Sequence, residues 1–259
     1  MSLNNPYILL QICLNANDPI IARSLIQLNK SFSEYVNNTA FGLLFKKYGK
    51  HDYKYQVLRG DLRAIKWLHA SNKDYIIWAI NHAAGEGHLH ILKWLHETSK
   101  EVHTLWYSAA SGYKARYPIF FAMDWAAKNG HLETVKWLHE NRKEGCTTDA
   151  MDRAAENGHL ETVKWLHENR KEGCTTWAMD WAATNGHLET VKWLHKNRKE
   201  GCTTNAMDSA AACDHLETLK WLHTNRTEGC TVWARIHATM YGHDKILKWM
   251  CETLNSDKW

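Results

Sequence analysis

The chain has 259 residues, 44% apolar and 23% charged, which excludes global disorder and leaves room for one sizeable body or a small domain plus an array. A net charge of +4 is too small to make phosphate binding the default, and no stretch approaches the roughly 20 apolar residues of a membrane span. Fourteen Trp and 17 His against three Pro point to one unit that has been copied, so internal repeats are sought first. The segment Met1 to Pro6 lacks a basic n-region, so no signal peptide is expected. Four of the seven Cys recur at one repeat position. Reduced thiols in a soluble, cytoplasmic protein are the corresponding expectation.

Residues 1–50 form the first expected domain. Asn5-Pro6 is followed by Ile8, Leu9, Leu10 and Ile12, and Asp18-Pro19 then opens a second apolar stretch with Leu25 and Leu28. Next come Lys30-Ser31-Phe32, and Phe41, Leu44, Phe45 and Tyr48 close the segment. This spacing suits three short helices. The order resembles an F-box, although Asn5 stands where that family has Leu before the initial Pro. The resemblance implies docking on a Skp-type adaptor of cullin–RING ubiquitin ligases through Pro6, Ile8, Leu9, Ile12 and Leu25. A helical cap shielding the open end of an array is the other reading of the same residues.

Residues 51–259 carry about seven copies of one unit. From residue 129 the chain repeats every 28 residues, in the register of Gly130, Gly158, Gly186, Asp214 and Gly242. The stretch from Asn129 to His139 recurs nearly verbatim at 157–167 and 185–195. Earlier copies lie at Gly60 and Gly87, and the interval from Gly87 to Gly130 is 43 residues, one period plus an insertion near 102–118. Each period divides into two short helices. Thr147-Thr148 supplies an N-cap hydroxyl for a helix over 149–156, and Ala154-Ala155 allows close helix approach. Asn157-Gly158 makes a left-handed turn, and a second helix runs from His159 to about Asn169, with Gly173 as its C-terminal cap. Leu160, Val163 and His167 share one face and are expected to be its buried stripe. A single hairpin cannot bury that face, so neighbouring copies must stack.

The run Thr147, Ala150-Met151-Asp152, Ala154-Ala155, Asn157-Gly158-His159-Leu160 resembles the ankyrin repeat, with a capped Ala-Ala helix followed by Gly-His. Asp152, Asp180 and Asp208 stand where that family has His, and Ala150 where it has Pro. Each period is also about five residues shorter than the family's 33. The missing residues are those of the projecting β-hairpin. The resemblance therefore implies an all-α solenoid with shortened loops, little or no strand, and no finger-mediated binding. Wording this regular, with recurrent Lys-Trp-Leu-His blocks, is also similar to ankyrin proteins of large DNA viruses of amoebae, which would place the protein in the host cytoplasm.

Several recurrent side chains invite chemistry and are better read as structure. His131 and His139 are about 12 Å apart along one helix, too far for one zinc. Cys146, Cys174, Cys202 and Cys230 sit one repeat apart, beyond disulfide reach if helices stack about 8–10 Å apart. They are expected to be small buried residues. The ladder Asp124, Asp152, Asp180, Asp208 is too regular for a catalytic pair, which needs two differently tuned carboxylates in one pocket, so loop hydrogen bonding is expected. The His opening each second helix (His131, His159, His187, His215, His243) is expected to donate to a neighbouring loop. The recurrent Lys-Trp pairs suit packing between repeats rather than nucleic-acid stacking, because Glu133 and Glu140 flank Lys136. No metal, cofactor or catalytic residue is expected.

Comparison between copies isolates three variable positions on the first helix. The first carries Trp78, Phe121, Asp149, Trp177, Asn205 and Trp233. The second carries His82, Trp125, Arg153, Trp181, Ser209 and His237, and the third Gly85, Lys128, Glu156, Thr184, Ala212 and Met240. Offsets of four and seven place all three on one face. A face free to change is not shared core, and clustered aromatics suit a protein-binding hot spot. Filling of the space left by the shortened hairpin is the alternative. Trp106 and Tyr113 of the insertion extend the expected binding side. Two functions remain open: an adaptor that recruits a target protein to a ubiquitin ligase, and a scaffold that sequesters a host protein with residues 1–50 only a cap.

Overall fold

The computed structural model describes residues 57–69, 76–98, 121–143 and 145–254. Residues 1–50, with Pro6, Ile8, Leu9, Ile12 and Leu25, and the insertion with Trp106 and Tyr113 lie outside the described residues. So do the side chains of Trp78 and Phe121. The chain divides into two compact units, Met1–Tyr117 and Pro118–Trp259.

In the first unit, α1 spans Leu62–His69, α2 Ile76–Gly85 and α3 Leu89–Thr98. Ala79, Ile80, Ala83 and Ala84 of α2 are buried, as are Ile91, Leu92 and Leu95 of α3. The turn between α2 and α3 is tied back to the preceding copy. His88 Nε2 donates to Leu58 O and His90 Nε2 to Gly60 O, each at 3.1 Å.

The second unit is five helix pairs. These are α4 Phe121–Lys128 and α5 Leu132–Asn141, α6 Asp149–Glu156 and α7 Leu160–Asn169, and α8 Trp177–Thr184 and α9 Leu188–Asn197. They continue as α10 Thr204–Ala212 and α11 Leu216–Asn225, then α12 Val232–Met240 and α13 Asp244–Thr253. Among the described residues there is no strand. The described residues are thus all helical with short loops, and the second unit is the repeat solenoid that its periodicity predicts.

First helices stack closely on one another, whereas second helices touch more sparsely. The cause is side-chain size. The first helices α4, α6, α8 and α10 each present paired Ala to a neighbour, and Ala126, Ala127, Ala154, Ala155, Ala182, Ala183, Ala210 and Ala211 are fully buried. Met123, Met151, Met179 and Met207 fill what remains between layers.

The second helix departs from the expected stripe. In α7 the buried side chains are Thr162, Val163 and Leu166, while Leu160 and His167 are only half-buried. His167 turns to a neighbouring Trp instead. Gly173 does adopt a left-handed φ of 75°, but it lies beyond the helix end; α7 is closed by Arg170 in extended backbone. The first-helix turn is as expected, with Gly158 at φ 72°. Asp214 replaces the Gly at φ 61°, a conformation Asp tolerates better than most residues.

Candidate functional site

Three inter-repeat devices hold the second unit in register, and they present one face of the first helices to solvent. The first device is the Asp ladder. Thr147 N–H donates to Asp124 Oδ1 at 2.9 Å and Thr147 Oγ1 to Oδ2 at 2.8 Å. Asp152 receives Thr175 and Asp180 receives Thr203 in the same way, all at 2.8 Å. Asp208 receives Thr231 at 2.8 and 2.6 Å. Each Thr hydroxyl also accepts from the amide two residues on, as Trp177 N does on Thr175 Oγ1 at 3.2 Å. One side chain therefore caps its own helix and binds the previous repeat. Burial pushes the Asp124 carboxyl up to about 6 despite the two Thr147 bonds that lower it. Asp152 and Asp180 are raised for the same reason. All three are spent on structure, so the ladder offers no free acid or base.

The second device is the His that opens each second helix. His243 Nε2 donates to Ala212 O at 2.9 Å, and His159 and His187 bond the backbone of Lys128 and Glu156. The ring lies against the left-handed Gly of the previous turn: a Cβ on Gly158 would meet His187 Nδ1 at 2.6 Å. Burial lowers the pKa of His159 and His187, which suits a neutral ring donating to a carbonyl.

The third device was not anticipated from the sequence. Arg170, the C-cap of α7, donates from Nε to Glu172 Oε2 at 3.2 Å, pairs through Nη2 with Glu172 Oε1, and donates from Nη1 to His139 Nδ1 at 3.2 Å. The guanidinium covers Gly145, where a Cβ would stand 2.5 Å from Nη2, and it also bonds Cys146. The His139 ring meets Trp165 edge-on at 5.3 Å. Arg198 and Arg226 repeat the clamp on His167 and His195, whose rings meet Trp193 and Trp221. The recurrent Trp is thus inter-repeat packing, as its position on the wheel suggests. Its Lys neighbour is engaged too: Lys136 Nζ bonds Glu133 at 2.8 Å. The signal for the clamp is present, since Arg and Glu recur with the period after α5, α7, α9 and α11.

The thiols follow from the clamp. Cys174 and Cys202 are buried, while Cys146 and Cys230 are half-buried, and none of the four is in a disulfide. Burial pushes the Cys146 thiol up to about 12 and those of Cys174 and Cys202 to about 11, so they stay protonated and unreactive. Among the described residues no group of three or more His, Cys, Asp or Glu could hold a metal ion. No described helix is long and apolar enough to cross a membrane.

What remains exposed is the variable face. Trp177 is 52% and Trp233 55% exposed, so neither is packing filler. The Trp177 and Trp181 rings lie 4.9 Å apart, tilted by 30°. Arg153, from the preceding repeat, sits over the Trp181 ring with Cζ 4.2 Å from its centroid, and its Nη1 bonds Glu156 at 2.9 Å. Trp125 is half-buried. A second ridge is formed by Trp233, His237 and Tyr241, with centroid separations of 5.5 and 6.2 Å. Between the ridges α10 offers only Asn205, Ser209 and Ala212. Of the expected binding residues the structure therefore joins Arg153, Trp177 and Trp181 in one cluster and puts Trp233 in a separate ridge.

No curated protein matches this chain. Family models of ankyrin repeats match residues 123–167 (many copies) and 151–259 (three copies), together more than half of the chain. Stacked helix pairs, the left-handed Gly before His and these two matches lead to one conclusion: the chain belongs to the ankyrin-repeat proteins.

Proposed function

We propose that this protein is an interaction adaptor whose variable first-helix face selects a target protein for a cullin–RING ubiquitin ligase. Ankyrin repeats fit a protein–protein interaction role. The observation that carries the target-binding half is the cluster of exposed Trp177 and half-buried Trp181 with Arg153 stacked on it. Aromatic and Arg side chains dominate the energetics of protein interfaces, and a monomer gains nothing by leaving such a cluster in water. By sequence register Trp78, Phe121, Trp125 and Trp233 hold the corresponding first-helix positions of other copies, and Trp106 and Tyr113 of the insertion complete the proposed binding residues. The ligase half rests on the F-box-like order of residues 1–50, with Pro6, Ile8, Leu9, Ile12 and Leu25 as the docking residues for a Skp-type adaptor. The setting proposed for this work is the cytoplasm, that of the host if the chain is viral.

The test uses the full chain and a variant with Trp125, Trp177 and Trp181 each changed to Ala. Binding of a purified Skp-type adaptor by both, with a second partner lost only from the variant, is the expected result. No Skp binding by the full chain, with the second partner still lost from the variant, would leave a sequestering scaffold with residues 1–50 as its cap. Partners unchanged by the triple substitution would remove the aromatic face from the account.

A further inference from the structure

The variable face of the second unit is not an even surface. Two aromatic ridges stand on it with one bare helix between them. The first ridge is Trp177 and Trp181 of α8, backed by Arg153 of α6. The second is Trp233 and His237 of α12 with Tyr241 at its C-cap, and Tyr241 is as open to solvent as Trp233. Between them Asn205 and Ser209 of α10 hold the register positions of Trp177 and Trp181 in one neighbour and of Trp233 and His237 in the other. Large rings on both sides of an amide, a hydroxyl and the Ala212 methyl make a trough with α10 as its floor.

The width of the trough follows from the packing. α8, α10 and α12 stack directly on one another through buried Ala residues. Packed helices lie about 8–10 Å apart, so two such steps set the ridges about 16–20 Å apart between helix axes. Less the rings themselves, that admits one α-helix, whose diameter with side chains is about 10–12 Å. An extended segment, which occupies only about 5 Å beside a neighbour, would touch one ridge and miss the other. The chemistry agrees with the size. No Asp, Glu, Lys or Arg stands at the ring and floor positions, and Arg153 and Glu156, behind the first ridge, close on each other at 2.9 Å. A charged side chain pressed between the ridges would lose its water and meet no counter-charge. An extended backbone would bring amides and carbonyls to walls that offer little but indole N–H, whereas a helix satisfies those groups within itself.

We infer that the trough over α10 receives one α-helix of the partner protein, laid along α10 with an uncharged face against both ridges. The inference rests on the reading of the variable face as a target-binding surface and adds the form of the target's contact. The floor helix spans nine residues, so the seated helix engages over about 14 Å, between two and three turns.

The probes are two displayed libraries of one randomised segment, the first on an outer face of a helical bundle and the second with central Pro residues that forbid a helix. Both are selected on the full chain, and binders lost on Trp177→Ala with Trp181→Ala are kept as those of the variable face. The trough is then filled by Asn205→Trp with Ser209→Trp, a pair that α8 already carries at these positions. Ser209→Arg, the residue of α6 there, is the milder blockade if the double variant does not fold. The expected result is that binders of the face come from the helical library, present an uncharged surface, and lose at least tenfold in affinity when the trough is filled. Binders from the Pro library, or helices that ignore the filling, would overturn the trough and leave the target-binding face standing. If no binder responds to the loss of Trp177 and Trp181, the face itself fails and the trough with it. Self-association of the parent that the filled variant loses would give the trough to a second copy and overturn the partner helix.

Discussion

The two rows of helices have divided the work between them. The second helices α5 and α7 are identical from Leu132 and Leu160 onward, and their Thr, Val and Leu faces are equally buried. The first helices α4, α6, α8 and α10 share the Ala pair and the Asp but differ at the three variable positions. Whatever binds the next repeat is held constant, and whatever faces outward is free. Selection on recognition can therefore act on α4, α6, α8 and α10 without touching the Asp, His and Arg devices that keep the array together.

The sharpest way to break this division is to remove one device. Asp180→Ala strips the partner from Thr203 N and Oγ1 in a buried setting and should cost about 3 kcal/mol in urea unfolding. Gly158→Ala should cost about 2 kcal/mol, because the left-handed backbone strains a Cβ and that Cβ meets the His187 ring. A loss below about 0.5 kcal/mol in either would mean that repeats are held chiefly by Ala–Met packing.

A milder change sharpens the comparison through pH. Asp124 has a folded pKa of about 6, above its ordinary 3.8, so the stability linked to it is fully present below about pH 4 and is lost as pH rises through 6. Asp124→Asn abolishes this linkage, and α2 already uses Asn81 at the equivalent position. The stability of the parent relative to Asp124→Asn should thus rise as pH falls from 7 to 4, measured by unfolding at each pH. The comparison is needed because His159 and His187 act in the opposite sense: their lowered pKa values cost stability as pH falls through 6.5. The smallest effect belongs to the second-helix surface. Glu161→Gln, which breaks an exposed pair with Lys164 at 2.7 Å, should change stability by no more than about 0.5 kcal/mol.

The fold was legible because its signal is periodic. Gly before His, the Ala pair and the Lys-Trp block give the unit, its two helices and the turn between them. The roles of Asp152 and His159 are legible too, since a residue repeated in copy after copy cannot be a single tuned site. His167 was misplaced because a helical wheel locates a side chain about its own axis and says nothing of the next repeat, from which Arg198 and Trp193 come. The Arg clamp escaped for the same reason: Arg170 and Glu172 lie in a loop, where neither period 3.6 nor period 2 applies. In the candidate site, sequence comparison placed Trp177, Trp181 and Arg153 on one kind of surface. That Arg153 crosses to stack on the next repeat's Trp181 depends on the close approach of α6 and α8, which only packing reveals.

The most direct test of the division of labour copies one part of the protein onto another. Trp177→Asn with Trp181→Ser writes the outward residues of α10, Asn205 and Ser209, onto α8, a pair this backbone already accepts. Unfolding free energy and target binding are measured on the same preparation. The account predicts stability within about 0.5 kcal/mol of the parent and at least a tenfold loss of target affinity, since hot-spot aromatics carry about 2 kcal/mol or more each. Affinity unchanged while stability falls by several kcal/mol would contradict it, and would make the exposed tryptophans part of the scaffold.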